Sequence, residues 1–154
     1  MTAPSVQTCL WFNDKAEEAA RFYCGLIPGA QILHIFPNRA DPARAFQVQL
    51  SLAGQRFTFL NGGPHYTLGP AASIEIHLDT QPELDRIWGA LLDGGSAMRC
   101  GWLTDRFGVS WQILPRSLFT LLQTRDAAQA DRVLKAMMQM VKLDGPALEA
   151  AARG

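Results

Sequence analysis

The sequence has little that would direct the protein to a nucleic acid, to a membrane or to secretion. Fourteen basic side chains balance fourteen acidic ones, so no excess of positive charge predicts a nucleic-acid partner or a charged membrane surface. No apolar run approaches the length of a membrane span, and the first residues lack the basic and apolar regions of a secretory signal. We therefore expect a cytoplasmic protein that recognises its ligand by shape.

Cysteine is also scarce. Cys9, Cys24 and Cys100 are odd in number and form no CxxC pair, which favours free thiols in a reducing compartment over a disulfide framework. A chain of 154 residues, of which 48% are apolar, is long enough to bury a hydrophobic core without such bridges. One domain, or two small fused repeats, is the natural expectation.

The first half of the chain combines one helix pattern with several strand patterns. Asp14 is expected to cap a helix that runs to Ile27, with Glu17 completing a capping box. Period-2 or short apolar patterns predict four strands, over residues 6–12, 31–36, 45–52 and 56–60. The order is β-α-β-β-β, and a segment rich in Gly and Pro follows as a linker.

The second half repeats this order. Thr80 or Gln81 is expected to cap a helix with Pro82 in its first turn, and Gly108 is placed to adopt a positive φ in a hairpin turn that begins at Asp105. Strands are predicted over residues 73–79, 97–101, 102–104 and 109–114. Two β-α-β-β-β units amount to an internal repeat and an α+β fold.

Three motifs carry a resemblance to a known family. Residues 60–65 (Leu-Asn-Gly-Gly-Pro-His), 100–108 (Cys-Gly-Trp-Leu-Thr-Asp-Arg-Phe-Gly) and 110–112 (Ser-Trp-Gln) resemble the PhnB-like branch of the vicinal oxygen chelate, or glyoxalase and bleomycin-resistance, superfamily. Sequences of this branch often carry the name 3-demethylubiquinone-9 3-methyltransferase. The resemblance implies paired β-α-β-β-β modules that enclose a cavity. It assigns residues 1–116 to a glyoxalase-like domain, with repeats near 5–61 and 72–115.

Residues 117–154 are expected to form a helical tail. Ser117 to Gln123 is interpreted as a link, and a helix pattern from 126 to 143 carries an apolar stripe of Leu134, Met137, Met138 and Val141, widened by Val133 and Met140. A short helix is predicted from Asp144 to Arg153. Two interpretations stay open: the tail packs on its own domain, or it contacts a second subunit, since Met-rich stripes adapt to partner surfaces and the resembling family commonly forms dimers.

The resemblance also implies where a metal would bind. Enzymes of this superfamily usually hold one divalent metal with His, Glu or Gln side chains, and the matching positions here are Gln7, Thr58, Ser73 and Gln112. These four residues include no imidazole and no carboxylate, so they would bind Zn, Fe, Ni or Mn weakly. We therefore predict that the standard metal site is absent and that no cofactor is needed.

The face predicted to line the cavity still carries chemistry. Its members are Gln7, Cys9, Trp11, Ser73, Glu75, His77, Ser110 and Gln112. Glu75 and His77 are neighbours on one side of a strand and are candidates for a catalytic acid/base pair, or for a hydrogen-bonded pair that only shapes a pocket. Trp11 is placed to stack on a planar ligand, and Cys100 is a further ligand-binding candidate and a weaker partner for His77 in nucleophilic catalysis. His65 either ties down the loop between the repeats or contacts the ligand.

Three functions remain open at this point. The first is a homodimeric binding protein for a small, partly aromatic or amphipathic molecule. The second is a glyoxalase-like or dioxygenase-like lyase, or an isomerase, that uses Glu75 and His77 with or without a divalent metal. The third is an interaction module that acts through the tail. The sequence argues against methyl transfer, because no Gly-rich loop joins a strand to a helix to form a cofactor site.

Overall fold

The computed structural model describes residues 4–154, which fall into two compact units, the first ending at Leu68 and the second spanning Gly69–Gly154. Each unit contains the predicted β-α-β-β-β order, and the second continues into three further helices. None of the helices in residues 4–154 is both long enough and apolar enough to cross a lipid bilayer.

The first unit is a four-stranded sheet with one helix. Its elements are β1 (Thr8–Phe12), α1 (Ala16–Leu26), β2 (Gln31–Pro37), β3 (Ala45–Leu52) and β4 (Gln55–Asn61). The strand order is β1-β4-β3-β2, in which β1 and β4 are parallel and the remaining pairs are antiparallel. The first and last strands of the repeat therefore lie side by side.

Helix α1 covers one face of this sheet. Its small residues Ala16, Ala19 and Ala20 are fully buried, which lets the helix approach closely, and the Tyr23 ring meets Phe59 edge-on at 5.8 Å. The sheet side chains buried on this face include Leu10, Phe12, Val48, Leu50, Phe57 and Phe59. By strand alternation, the residues between them point to the opposite face.

The predicted cap of α1 is wrong. Asp14 does not cap the helix; Lys15 occupies the cap position without a capping side chain, and the Asn61 Oδ1 accepts the hydrogen bond of the Ala16 backbone N–H at 2.8 Å. Asn61 reaches this position because it ends β4 directly beside Phe12 at the end of β1. Asp14 instead lies 3.7 Å from the Arg44 guanidinium. A residue distant in sequence has replaced the local cap.

The second unit repeats the sheet. Its elements are β5 (Ile74–Leu78), α2 (Gln81–Leu92), β6 (Ser96–Ala97), β7 (Trp102–Thr104) and β8 (Ser110–Pro115), in the order β5-β8-β7-β6 with β5 and β8 parallel. Thr80 caps α2 as predicted, since its side chain accepts from the Glu83 backbone N–H. Strand β6 is shorter than predicted, because Cys100 and Gly101 adopt positive φ values of 60° and 82° and form a turn.

The hairpin between β7 and β8 is built on Asp105. This carboxylate is only 4% exposed; one oxygen accepts from the backbone N–H groups of Phe107 and Val109, at 2.9 and 3.0 Å, and the other accepts from Trp111 Nε1 at 2.9 Å. Gly108 adopts the predicted positive φ of 85°. One buried side chain thus fixes both the turn and the orientation of the largest core residue of the sheet.

The tail contains three helices, α3 (Ser117–Leu122), α4 (Ala127–Gln139) and α5 (Gly145–Arg153). The interpretation of residues 117–123 as a link was wrong, because Leu118 in this segment is buried and anchors α3. Asp126 caps α4 and Asp144 caps α5, each by accepting hydrogen bonds from backbone N–H groups of the first turn.

The tail packs on the second unit itself. Its buried cluster joins the sheet residue Leu114 to tail residues Leu118, Val133, Leu143, Leu148 and Ala152. Val133, which lay at the edge of the predicted stripe, is the buried residue of α4. The side chains of Leu134, Met138 and Val141 remain 39%, 58% and 48% exposed. We call these three residues the exposed tail stripe.

Backbone hydrogen bonds also join the tail to the sheet. The N–H groups of Cys100 and Gly101 donate to the carbonyls of Met140 and Val141, at 2.9 and 2.8 Å. On α2, the Gln81 side chain donates to the Leu143 carbonyl at 3.0 Å. Nearby, hydrogen bonds from Lys142 and from Gln81 lower the pKa of the Asp85 carboxyl group. The segment around residues 140–143 is thus fixed from two sides.

Gly101 is expected to be the least tolerant position of this junction. A Cβ at Gly101 would lie 2.9 Å from the Ile113 carbonyl oxygen and 3.0 Å from Leu143 Cγ, at a φ of 82° that side chains rarely adopt. We expect Gly101→Ala to lower the free energy of unfolding by about 2–3 kcal/mol in chemical denaturation of the full chain. The control is Gly89→Ala, on the exposed side of α2 with nothing near its Cβ, which should be neutral or slightly stabilising. Equal effects of the two changes would contradict the assignment.

Candidate functional site

The four positions that the resemblance assigns to a metal form two hydrogen-bonded pairs, one in each unit. In the first unit, Gln7 Nε2 donates to Thr58 Oγ1 at 2.8 Å. In the second, Gln112 Nε2 donates to Ser73 Oγ at 2.9 Å. Each pair is one amide and one hydroxyl, and we call them the amide–hydroxyl pairs.

Parallel strand pairing brings these side chains together. Thr58 on β4 is in register with Cys9 on β1, and Gln112 on β8 is in register with Glu75 on β5. In both units the hydrogen-bonding partner stands two residues before the register partner, and therefore on the same face of the sheet. In the first unit the amide is that of Gln7, just before β1, and in the second unit it is that of Gln112, on β8.

The chemistry of these pairs does not fit a zinc or manganese ion. Neutral amide and hydroxyl oxygens are weak donors to such metals, and each pair is already joined by its own hydrogen bond. Elsewhere in residues 4–154, no three His, Cys, Asp or Glu side chains are grouped in a way that could hold a metal ion.

The polar face of the first unit extends across the whole sheet. Strand registers place two rows of side chains on it, namely Cys9, Thr58, Gln49 and His34, and then Trp11, Leu60, Gln47 and Phe36. The sequence pattern identified Cys9, Trp11 and Thr58 but did not identify Gln49 or His34 as members of this face. The missing information was the register, including a shift between Ile32 and His34.

The loop after β4 holds the indole ring of Trp11. Trp11 Nε1 donates to the Gly63 carbonyl at 2.8 Å, and the Tyr66 ring meets the indole edge-on at 5.0 Å. Gly62 packs so closely that a Cβ there would lie 2.2 Å from the indole. His65 is exposed and has no hydrogen bond to any residue of the described range, so the loop is held by its neighbours instead.

The thiols of Cys9 and Cys24 are not activated by their surroundings. Cys9 lies on an exposed part of β1, and partial burial of its thiol raises the pKa, as it does for Cys24. A raised pKa leaves little thiolate near neutral pH. Cys100 lies in the turn between β6 and β7, where its backbone N–H binds the tail at Met140. The His77 side chain contacts Glu75 and Phe119.

Glu75 and His77 form the predicted pair. His77 Nε2 and Glu75 Oε1 are hydrogen-bonded, and the two side chains are 34% and 39% exposed. The imidazole also packs against the Phe119 ring of α3, with 4.6 Å between the ring centres. Phe119 could not be predicted as a neighbour, because the sequence pattern indicated a link at this point. These two contacts hold the imidazole in one orientation.

Two further residues complete the polar face of the second unit. Trp102 is in register with Gln112 and half-buried on the same face. Ser110 is 2% exposed, and its Oγ has no hydrogen-bond partner among the described residues. The row Glu75, Gln112 and Trp102 thus joins a carboxylate, an amide and an indole across three strands.

The first unit also has an open pocket of about 650 Å³ at the end of the hairpin between β2 and β3. Its lining residues are Phe36, Pro37, Asn38, Arg39 and Phe46. None of the site residues predicted from the sequence lines it.

Comparison with known proteins agrees with the predicted resemblance. The family model described as 3-demethylubiquinone-9 3-methyltransferase matches residues 4–114. The chain belongs to this family. Its fold is the paired-module α+β fold predicted from the sequence. No curated protein matches the chain.

Solved structures show the same relationship. A putative 3-demethylubiquinone-9 3-methyltransferase, the PhnB protein of Bacillus cereus, is 28% identical with a TM-score of 0.66, over 73% of this chain and 98% of its own. The protein PA1353 of Pseudomonas aeruginosa is 21% identical with a TM-score of 0.60, over 73% and 98%. The fosfomycin resistance protein FosX of Listeria monocytogenes is 12% identical with a TM-score of 0.57, over 81% and 100%. The last two share the fold only.

Proposed function

We propose that this family member binds a small, partly aromatic or amphipathic organic molecule without the divalent metal common in its superfamily. The amide–hydroxyl pairs carry this proposal, because they put neutral, mutually hydrogen-bonded groups where metal donors would stand. Trp11 and Trp102 offer flat apolar surface on the same faces. A few polar groups among aromatic side chains are typical of small-molecule sites.

The proposal does not include methyl transfer, despite the description of the family. The segments that precede α1 and α2 contain Asn13, Asp14 and Lys15, and Asp79 and Thr80, with no glycine among them. A Gly-rich turn at a helix N-terminus is what usually cradles a nucleotide-like cofactor. Binding of an uncharged organic molecule requires no such turn.

Metal uptake is the first test. The purified chain is incubated with Ni, Co, Mn, Fe and Zn in turn, passed through gel filtration and analysed for metal. We expect far less than one metal per chain, because amide and hydroxyl donors bind these ions weakly, and we expect thermal shifts with members of a panel of small aromatic compounds. Retention of about one metal per chain, lost on His77→Ala or Glu75→Ala, would contradict the proposal.

A second candidate function is acid/base catalysis of proton transfer, as in an isomerase or lyase. The hydrogen bond between Glu75 and His77 and the packing of Phe119 on the imidazole favour it, since they hold a general base in one orientation.

Proton abstraction would be visible in D₂O. Carbonyl compounds from the binding panel are followed by NMR for loss of their α-proton signals. Catalysis predicts exchange at least about a hundredfold above background, the lower end of the 10²–10⁴-fold usual for general bases, and its loss in Glu75→Gln and His77→Gln. Arg99→Gln, at an exposed position of the same unit, is the control. Exchange that survives both changes would rule out this pair as the base.

We also propose that the protein acts in the cytoplasm as a homodimer, with the exposed tail stripe at the contact. Leu134 and Met138 lie one turn apart on α4, Val141 follows two residues after the end of that helix, and all three are apolar and partly exposed. Methionine side chains adapt readily to a partner surface.

Molar mass in solution tests the dimer. We expect wild type at twice the 16.9 kDa of one chain, and Met138→Glu shifted toward one chain mass, because a buried carboxylate would be unpaired at the contact. Gln139→Glu, a neighbouring exposed residue, is the charge-matched control and should leave the mass unchanged. A wild-type mass of one chain would overturn the proposal.

A further inference from the structure

We infer that the Ser73–Gln112 pair selects a ligand with a neutral edge in which a hydrogen-bond donor adjoins an acceptor, as in a lactam or a primary carboxamide on an aromatic ring. This inference rests on the proposed binding function and names the chemical class of its ligand.

The Ser73–Gln112 pair leaves part of its hydrogen-bonding capacity unused. Gln112 Nε2 spends one proton on Ser73 Oγ, so the amide carbonyl remains an acceptor and the serine hydroxyl remains a donor. Rotating the amide by 180° exchanges its nitrogen and oxygen, but the pair still offers at least one donor and one acceptor. A lactam edge, with N–H beside C=O, matches either arrangement.

The charge beside the Ser73–Gln112 pair favours a neutral ligand over an anionic one. Glu75 is in register with Gln112 on the adjacent strand, so a carboxylate stands beside the pair and disfavours an anionic ligand. His77 is hydrogen-bonded to the same carboxylate, and the Arg116 guanidinium, which also contacts the His77 carbonyl, is paired with Asp79. The pair of the first unit differs, because Arg56 is two residues from Thr58 on the same strand face. Neutral selectivity is therefore assigned to the second unit alone.

The residues around the Ser73–Gln112 pair favour a ligand that has an aromatic ring and a polar edge. Trp102 is in register with Gln112 on the other side and offers a flat apolar wall to an aromatic ring. Ser110 stands two residues before Gln112 on the same face, buried and with its hydroxyl unpaired in the described part of the chain. Buried hydroxyls nearly always have partners, so an unpaired one marks a polar site that is incomplete without a further group.

Three probes of similar shape test the inference on the full chain. 2-Quinolone carries the lactam edge, 2-methoxyquinoline lacks its donor, and 2-naphthoate carries an anion. Titration by calorimetry or ligand-observed NMR should give 2-quinolone at least about tenfold tighter binding than either of the others, since leaving a site's polar groups unpaired costs affinity.

Matched variants test whether the Ser73–Gln112 pair binds the donor–acceptor edge of the ligand. Gln112→Leu should reduce the preference for 2-quinolone to about twofold or less, while Gln7→Leu, the same substitution in the other pair, should leave it in place. Ser73→Ala provides a second, smaller change at the same pair if Gln112→Leu does not fold, as judged by thermal unfolding. If Gln112→Leu keeps the preference for 2-quinolone, or if Gln7→Leu loses it, the assignment to the Ser73–Gln112 pair is wrong.

The outcomes separate this inference from the proposed function. Equal binding of the three probes, or binding only of other members of the aromatic panel, overturns the edge and leaves small-molecule binding intact. If no aromatic compound binds at all, both fall.

Discussion

The parallel pairing of the first and last strands in each unit determines which side chains meet. Because β1 lies beside β4 and β5 beside β8, residues about fifty and forty positions apart become neighbours on one face. An antiparallel meander would have placed only sequential strands together. The amide–hydroxyl pairs, the row around Gln112 and the replacement of the α1 cap by Asn61 all follow from this one arrangement.

The parallel pairing of first and last strands explains why the two units resemble each other in backbone geometry more than in amino-acid sequence. Position by position, Gln7 corresponds to Ser73, Cys9 to Glu75, Trp11 to His77, and Thr58 to Gln112. The backbone fixes where each side chain points, while the identity of the side chain is free to differ. The first unit has therefore kept an indole where the second has an imidazole, and the two faces have different charge.

Local patterns were sufficient to predict most of the elements. Strand patterns predicted both ends of β3 correctly and the ends of the other long strands to within a few residues. The Thr80 cap and the positive φ of Gly108 were both predicted from local chemistry. What local patterns could not supply was contact between distant residues. The local pattern predicted Asp14 as the helix cap because it could not show that Asn61 accepts the hydrogen bond at the start of α1. It placed Val133 at the edge of the apolar stripe because it could not show that Val133 shares a buried cluster with Leu114. Trp102 and Phe119 became site neighbours only through register and through the unexpected helix α3.

The tail sets the size of the accessible surface on the second sheet. The family match ends at residue 114, whereas the apolar cluster built on Leu114 and the contact of Phe119 with His77 extend beyond it. Within this unit, the end of the face near Leu114 is covered by apolar side chains. The row that remains spans β5, β8 and β7, three strands or about 10 Å across at ordinary strand spacing. Such a width matches the compact, flat molecule proposed as the ligand.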